Sequence, residues 1–169
     1  MRKIILGLAL SLDGFIEGPN GEYDWCFTDQ DYGLNDFLKR IDTIIMGRKS
    51  YEEAKKYEDQ NPWKGIKTYV FSNTLAEASP AEIIKGDVRK EVSTLQKQQG
   101  KDIWLFGGAA LTEAFMEADL IDEYWLSIHP IVLGSGKPLF RNSISRKHLK
   151  LKEHRIYSTG LVALTYQRV

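Results

Sequence analysis

The run Ile103-Trp104-Leu105-Phe106-Gly107-Gly108-Ala109-Ala110-Leu111 constrains the fold more than any other stretch, because the hydrophobic period changes across its two glycines. Four consecutive large apolar residues suit a strand buried on both faces, as in a mostly parallel sheet. Beyond the glycines, Leu111, Ala114, Phe115 and Ala118 repeat at helical spacing. The segment therefore reads as strand, tight turn and helix start. The first amides of that helix have no partner within it, and Gly107 and Gly108 put no Cβ in the way. A phosphate can lie against the backbone of Gly107, Gly108, Ala109, Ala110 and Leu111. The alternative is that the glycines only make a tight turn.

The same punctuation organises the rest of the chain. Residues 3–12 form an apolar run fit for a central strand, closed by the turn pair Asp13-Gly14. Residues 15–28 describe a long loop anchored by Tyr23, Trp25 and Phe27, and its segment 17–27 has the length of a functional lid. Asp31 precedes Leu34, Phe37, Leu38 and Ile41 at helical spacing, so it suits a helix cap as well as a reacting acid. Short strands are expected at 43–46, 68–71 and 81–84, helices at 51–56 and 87–99, and a turn at 61–65. After Asp122 the pattern changes to a strand at 123–130, a loop at 131–140 and two strands, 149–157 and 160–169, joined as a hairpin. Strands alternating with helices and ending in a hairpin predict an α/β fold, its central sheet mostly parallel with an antiparallel C-terminal hairpin.

Composition narrows the function classes. The 169 residues suit a single domain, and 23 Lys plus Arg balance 23 Asp plus Glu, so no general charge draws the chain to nucleic acid or an anionic membrane. One cysteine, Cys26, forms no internal disulfide and completes no CxxC pair, which fits a reducing cytoplasm. No apolar run reaches the roughly 18 residues of a membrane span, and no signal-peptide pattern opens the chain. His129, His148 and His154 lack the spacing of a metal site, so no metal is expected.

Three strand ends carry phosphate-friendly groups: Gly47-Arg48-Lys49-Ser50, Ser72-Asn73 and Gly107-Gly108-Ala109-Ala110. Ligands of open α/β sheets bind outside the carboxyl ends of strands, so these three can converge on one extended dinucleotide. The glycine pair would take the pyrophosphate. Arg48 and Lys49 would meet a phosphate on the adenosine ribose, which favours NADPH over NADH; standing alone they would be a solvated surface pair. Gly134-Ser135-Gly136-Lys137 is no phosphate loop, because Ile131 replaces the needed glycine and Pro138 stands where Ser or Thr should hold magnesium. Near the loop 17–27, the acidic candidates are Asp13, Glu17, Asp24, Asp29 and Asp31.

Four motifs follow one another across nearly the whole chain: Ser11-Leu12-Asp13-Gly14-Phe15-Ile16, Ile45-Met46-Gly47-Arg48-Lys49-Ser50-Tyr51-Glu52, Phe106-Gly107-Gly108-Ala109-Ala110-Leu111, and residues 130–140. Together they resemble the dihydrofolate reductase superfamily. More narrowly, they resemble the branch containing the C-terminal reductase domain of bacterial riboflavin-biosynthesis deaminase-reductases. The resemblance implies a dihydrofolate-reductase-like three-layer fold binding NADPH in an extended conformation. By position it assigns Gly47, Arg48, Lys49 and Ser50 to the adenosine end and Ser72 and Asn73 to the strand end beside it. Gly107, Gly108, Ala109, Ala110 and Leu111 match the pyrophosphate turn, and Ala9 and Ile16 match positions flanking the nicotinamide. Asp31 falls where folate reductases keep the acid that engages the pterin, which makes it the catalytic candidate.

Two departures from the family pattern shape the expected activity. Ile66 stands where folate reductases carry the arginine that pairs the glutamyl tail, which argues against folate as substrate. The zinc signature of a deaminase is absent from the sequence. The expected activity is an NADPH-dependent transfer of hydride to a small heterocyclic, imine or sugar-derived substrate, related to reduction of 5-amino-6-(5-phosphoribosylamino)uracil. The rival is a non-catalytic module that binds NADPH or another nucleotide as a sensor. The branch resemblance implies a homodimer, with residues 130–140 and the last hairpin as its expected interface.

Overall fold

A computed structural model describes residues 1–57, 59, 62–141 and 145–169; Asn61, which opens the expected turn at 61–65, lies outside them. In chain order the elements are β1 (Ile4–Ser11), β2 (Phe15–Glu17), α1 (Leu34–Arg40), β3 (Ile41–Gly47), α2 (Arg48–Lys55), β4 (Lys67–Phe71) and β5 (Glu82–Ile84). Then follow α3 (Val88–Lys97), β6 (Asp102–Gly107), α4 (Ala109–Glu117), β7 (Glu123–His129), β8 (Lys137–Pro138), β9 (Leu149–Ile156) and β10 (Val162–Arg168).

Eight strands make one sheet in the order β5-β4-β3-β6-β1-β7-β10-β9. The first six run parallel, and β10 and β9 add an antiparallel hairpin at one edge. The mostly parallel sheet with its C-terminal hairpin is thus the expected one. Because successive side chains of a strand point to opposite faces, β1 and β6 supply two cores at once. Ile4, Leu6, Ile103 and Leu105 face α3 and α4, packing on Val92, Leu95, Leu111 and Phe115. Ile5 and Trp104 face α1 and α2, packing on Phe37, Tyr51 and Ala54. Covering both faces of the sheet gives three layers and explains the continuous apolar runs of the sequence.

Glu123 anchors the amino end of the sheet. It is fully buried, and Lys3, Arg40 and Lys152 bring nitrogens to 2.7, 2.8 and 2.8 Å of its carboxylate. Burial pushes its pKa up, but hydrogen bonds from Arg40, Lys152 and Lys3 outweigh that and hold the carboxyl at about 2.

Two regions differ from expectation. The loop 15–28 contains the strand β2, which pairs with β8 inside the loop 131–140. Gly136 permits this, since a Cβ there would overlap the Glu17 carbonyl, and Lys137 forms an ion pair with Glu17. Helix α2 starts at Arg48 instead of Tyr51, because the extended Gly47 feeds directly into it. Among the described residues no helix is long and apolar enough to cross a membrane.

Candidate functional site

Strands β3 and β6 are neighbours, with Met46 opposite Gly107, so their carboxyl ends release α2 and α4 side by side. Neither helix has a side-chain cap: Gly47 precedes α2, and Gly108, at φ 93, precedes α4. The two turns touch, since a Cβ on Gly108 would lie 3.6 Å from the Gly47 Cα and 3.2 Å from the Ser50 hydroxyl. Two sets of unpaired amides, each at a positive dipole end, therefore open on one mouth. A single helix end contributes only about 0.3–1 kcal/mol to an exposed anion, so firm binding requires both ends and charged side chains together.

Arg48 supplies one such charge at the rim. Its Nη1 lies 3.4 Å from the Thr74 hydroxyl oxygen, and its Nε lies 3.7 Å from Glu52, so α2 and the segment after β4 share a cation. Lys49 is exposed beside it. Ser72 and Asn73 reach the same place but spend their side chains on the loop itself. The Ser72 hydroxyl accepts from the Leu75 amide at 3.0 Å, and the Asn73 carbonyl accepts from the Gly86 amide at 3.4 Å. Thr74, overlooked in the sequence, is the hydroxyl that this loop presents to Arg48; the run Ser72-Asn73-Thr74 was the available signal. Gly47, Ser50, Gly107, Gly108 and Leu111 are brought together, and Ala109 and Ala110 open α4 beside them. Ala9 is half-buried near the carboxyl end of β1, and Ile16 packs on the core from β2.

The loop 17–27 is fastened at two places on opposite sides of the strand ends. The Tyr23 hydroxyl donates to Glu53 of α2 at 2.9 Å, and the Phe27 amide donates to Nε2 of His129 at 3.1 Å. Helix α2 follows β3 and His129 ends β7; β6 and β1 lie between them in the sheet. Between the two fastenings, Trp25 packs edgewise on His129 at 5.3 Å. Its indole N–H is buried without an acceptor among the described residues. Burial and the nearby charge of Asp24 push the Cys26 thiol up to about 11, so it is no thiolate nucleophile at neutral pH.

Three of the acidic candidates, Asp13, Asp29 and Asp31, bond to groups of the loops around them. Asp13 clamps two loops: it accepts from the Ser11 hydroxyl and from the amides of Leu133 and Gly134, at 2.7, 3.1 and 2.7 Å. Desolvation opposes its charge, yet these donors hold its carboxyl below the ordinary range. Asp29 accepts from the Tyr32 hydroxyl at 2.6 Å. Asp31 is exposed, and its two oxygens accept from the amides of Gly33 and Asn35 at 3.0 and 2.9 Å. It therefore caps the approach to α1 from two residues before the helix's own cap, Gly33. The adjoining Tyr32 reaches Thr159 of the C-terminal hairpin at 3.2 Å, so this segment stands on the β10 side, apart from the glycine turns.

Residues 2–163 match the family model described as the RibD C-terminal domain. The uncharacterised protein YyaP of Bacillus subtilis is 48% identical over 177 residues, covering 98% of this chain and 94% of that protein. A solved structure from Shewanella sp. PV-4, described as a riboflavin biosynthesis protein, superposes with a TM-score of 0.87 at 27% identity, over 100% of this chain and 99% of that one. The dihydrofolate reductase of Enterococcus faecalis, solved with NADP(H), shares the fold with a TM-score of 0.71 at 16% identity, over 98% of this chain and 96% of that one.

Proposed function

Because the chain belongs to the RibD C-terminal domain family, we propose that it is an NADPH-dependent reductase acting on a small heterocyclic, imine or sugar-derived substrate. The observation that carries this reading is the shared mouth of two uncapped helix starts with Arg48 at its rim. The donor set fits a dinucleotide phosphate. Amides and absent Cβ atoms at Gly47, Gly107 and Gly108 suit a pyrophosphate, while Arg48, Lys49 and Thr74 suit a ribose phosphate. When bound, NADPH supplies the hydride.

The protein's own task is to align the two reactants and keep bulk water out. Ala9 and Ile16 would flank the reactive ring, and the loop 17–27 would cover it. Asp31 has little to offer as a proton donor, because it stands exposed, apart from the glycine turns, with both carboxylate oxygens engaged by backbone amides. A water molecule admitted beside the substrate is the proton source we favour. The exposure of Asp31 also favours a second reading, a module that senses NADPH without turnover. A homodimer joined through residues 130–140 and the β9–β10 hairpin completes the proposal. Leu151 and Ile156 there are 46% and 74% exposed, as are Val132 and Phe140 at 66% and 49%.

Titration with NADPH and NADH, followed by tryptophan quenching and energy transfer to the nicotinamide, tests the cofactor. Micromolar NADPH binding that weakens about tenfold in Arg48→Ala, equal to about 1.4 kcal/mol, is the expected result. Absence of binding by either cofactor would overturn it. Oxidation of NADPH across a panel of cyclic imines, pyrimidines and sugar-derived carbonyls separates the enzyme from the sensor.

A further inference from the structure

We propose that His129 is a positioning residue for the loop 17–27: its neutral ring holds the Phe27 end of the loop against β7, and protonation of that ring releases it. The inference rests on the reading of the mouth as a dinucleotide site, and it adds a control on that site. Nε2 accepts the Phe27 amide hydrogen at 3.1 Å, so it carries no proton of its own. The ring proton then belongs on Nδ1, which lies 3.0 Å from the Ser127 carbonyl and donates to it. Both partners are backbone groups and demand the same tautomer.

Packing makes this contact the fastening of one loop end. Trp25 and Phe27 place their rings edgewise on the imidazole, with centroids at 5.3 and 5.1 Å. His129 is only 3% exposed. An added proton on Nε2 would set two N–H groups against each other, so the ring must turn or Phe27 must leave. Either outcome unpacks Trp25 and Phe27 together.

The surroundings give an imidazolium little help. From the loop, the ring meets the Trp25 and Phe27 side chains and the Phe27 amide; from β7 and β1 it meets the carbonyls of Ser127 and Leu10. On the loop the neighbouring titratable groups are Cys26, a neutral thiol, and Asp24; past the end of β1, Asp13 is held by the Ser11 hydroxyl and the amides of Leu133 and Gly134; Tyr32 packs on the Phe27 ring and bonds Asp29. Burial lowers the His129 pKa below its ordinary 6.5, and the two carbonyls only partly restore it. The latch therefore stays shut at neutral pH and opens on the acid side of 6.5. The other fastening, between Tyr23 and Glu53, involves no histidine and leaves the loop tethered at its first half.

The test is nuclear magnetic resonance of the whole apo chain, joined to dissociation kinetics. Long-range imidazole correlations should show His129 protonated on Nδ1, and the Phe27 amide should shift with the same midpoint as His129, below 6.5. A proton on Nε2 at neutral pH, or a Phe27 amide indifferent to that titration, would overturn the proposal. By stopped flow, NADPH release should quicken about tenfold between pH 7.5 and 5.5. His129→Gln, whose amide oxygen can still accept from Phe27, should keep slow release and lose the pH dependence. His129→Phe should release quickly at every pH. A glutamine variant that keeps the wild-type pH dependence would also overturn the latch. Failure of NADPH to bind removes the cofactor reading alone, because the apo resonance data still decide the latch.

Discussion

Gly108 rests against Gly47 so closely that a side chain on Gly108 would begin 3.6 Å from the Gly47 Cα and 3.2 Å from the Ser50 hydroxyl. The two glycines nevertheless differ in what they tolerate. Gly108 has φ 93, where an L side chain costs about 1–3 kcal/mol, whereas Gly47 has φ −79, open to any residue. Gly108→Ala is expected to lower the melting temperature by several degrees and to weaken NADPH binding at least about tenfold. Gly47→Ala, with its nearest neighbour at 3.7 Å, should leave the melting temperature nearly unchanged. Equal melting temperatures for the two variants would contradict this account.

Asp31 is expected to matter for stability more than for chemistry. Asp31→Ala removes the acceptor of two amides before α1 and should cost about 1 kcal/mol in denaturant melts. In Asp31→Asn, single-turnover hydride transfer should stay within about threefold of wild type. A loss of about a hundredfold with an unchanged melt would restore Asp31 as the proton donor.

Acid should unfold the protein through Glu123. Its folded pKa, about 2, lies below the ordinary carboxylate value near 4.5, so the folded state binds this proton less readily than the unfolded chain does. The stability this supplies is fully present above about pH 4.5 and is lost as pH falls towards 2. Glu123→Gln leaves Lys3, Arg40 and Lys152 without their shared anion and should destabilise at pH 7 by about 3–5 kcal/mol. The variant should also show a flatter stability profile between pH 4.5 and 2. A profile as steep as wild type would assign acid unfolding to other carboxylates.

The proposed dimer has a direct test in Ile156, which stands on the edge strand β9 at 74% exposure. Sedimentation velocity at micromolar concentration should give a dimer for the wild type and a monomer for Ile156→Lys, with the melting curve of each chain still cooperative. A wild-type monomer would remove the interface.

The sequence by itself determined the order and type of the main elements, because hydrophobic period and turn chemistry act within a few residues. The change of period across Gly107 and Gly108 located β6, its turn and α4. The continuous apolar runs specified a sheet covered on both faces. Only the tertiary structure decided what the polar side chains do. Residue 31 offered a cap and an acid with equal local logic, and folding set its two oxygens on the amides of Gly33 and Asn35. Thr74 meets Arg48 across 26 residues, and His129 meets Phe27 across 102. Such pairs leave no periodic trace in the chain, since a hydrogen bond depends on where folding sets two groups in space and not on the residues beside them. Packing of α2 against β3 and of the loop 17–27 against β7 makes those meetings.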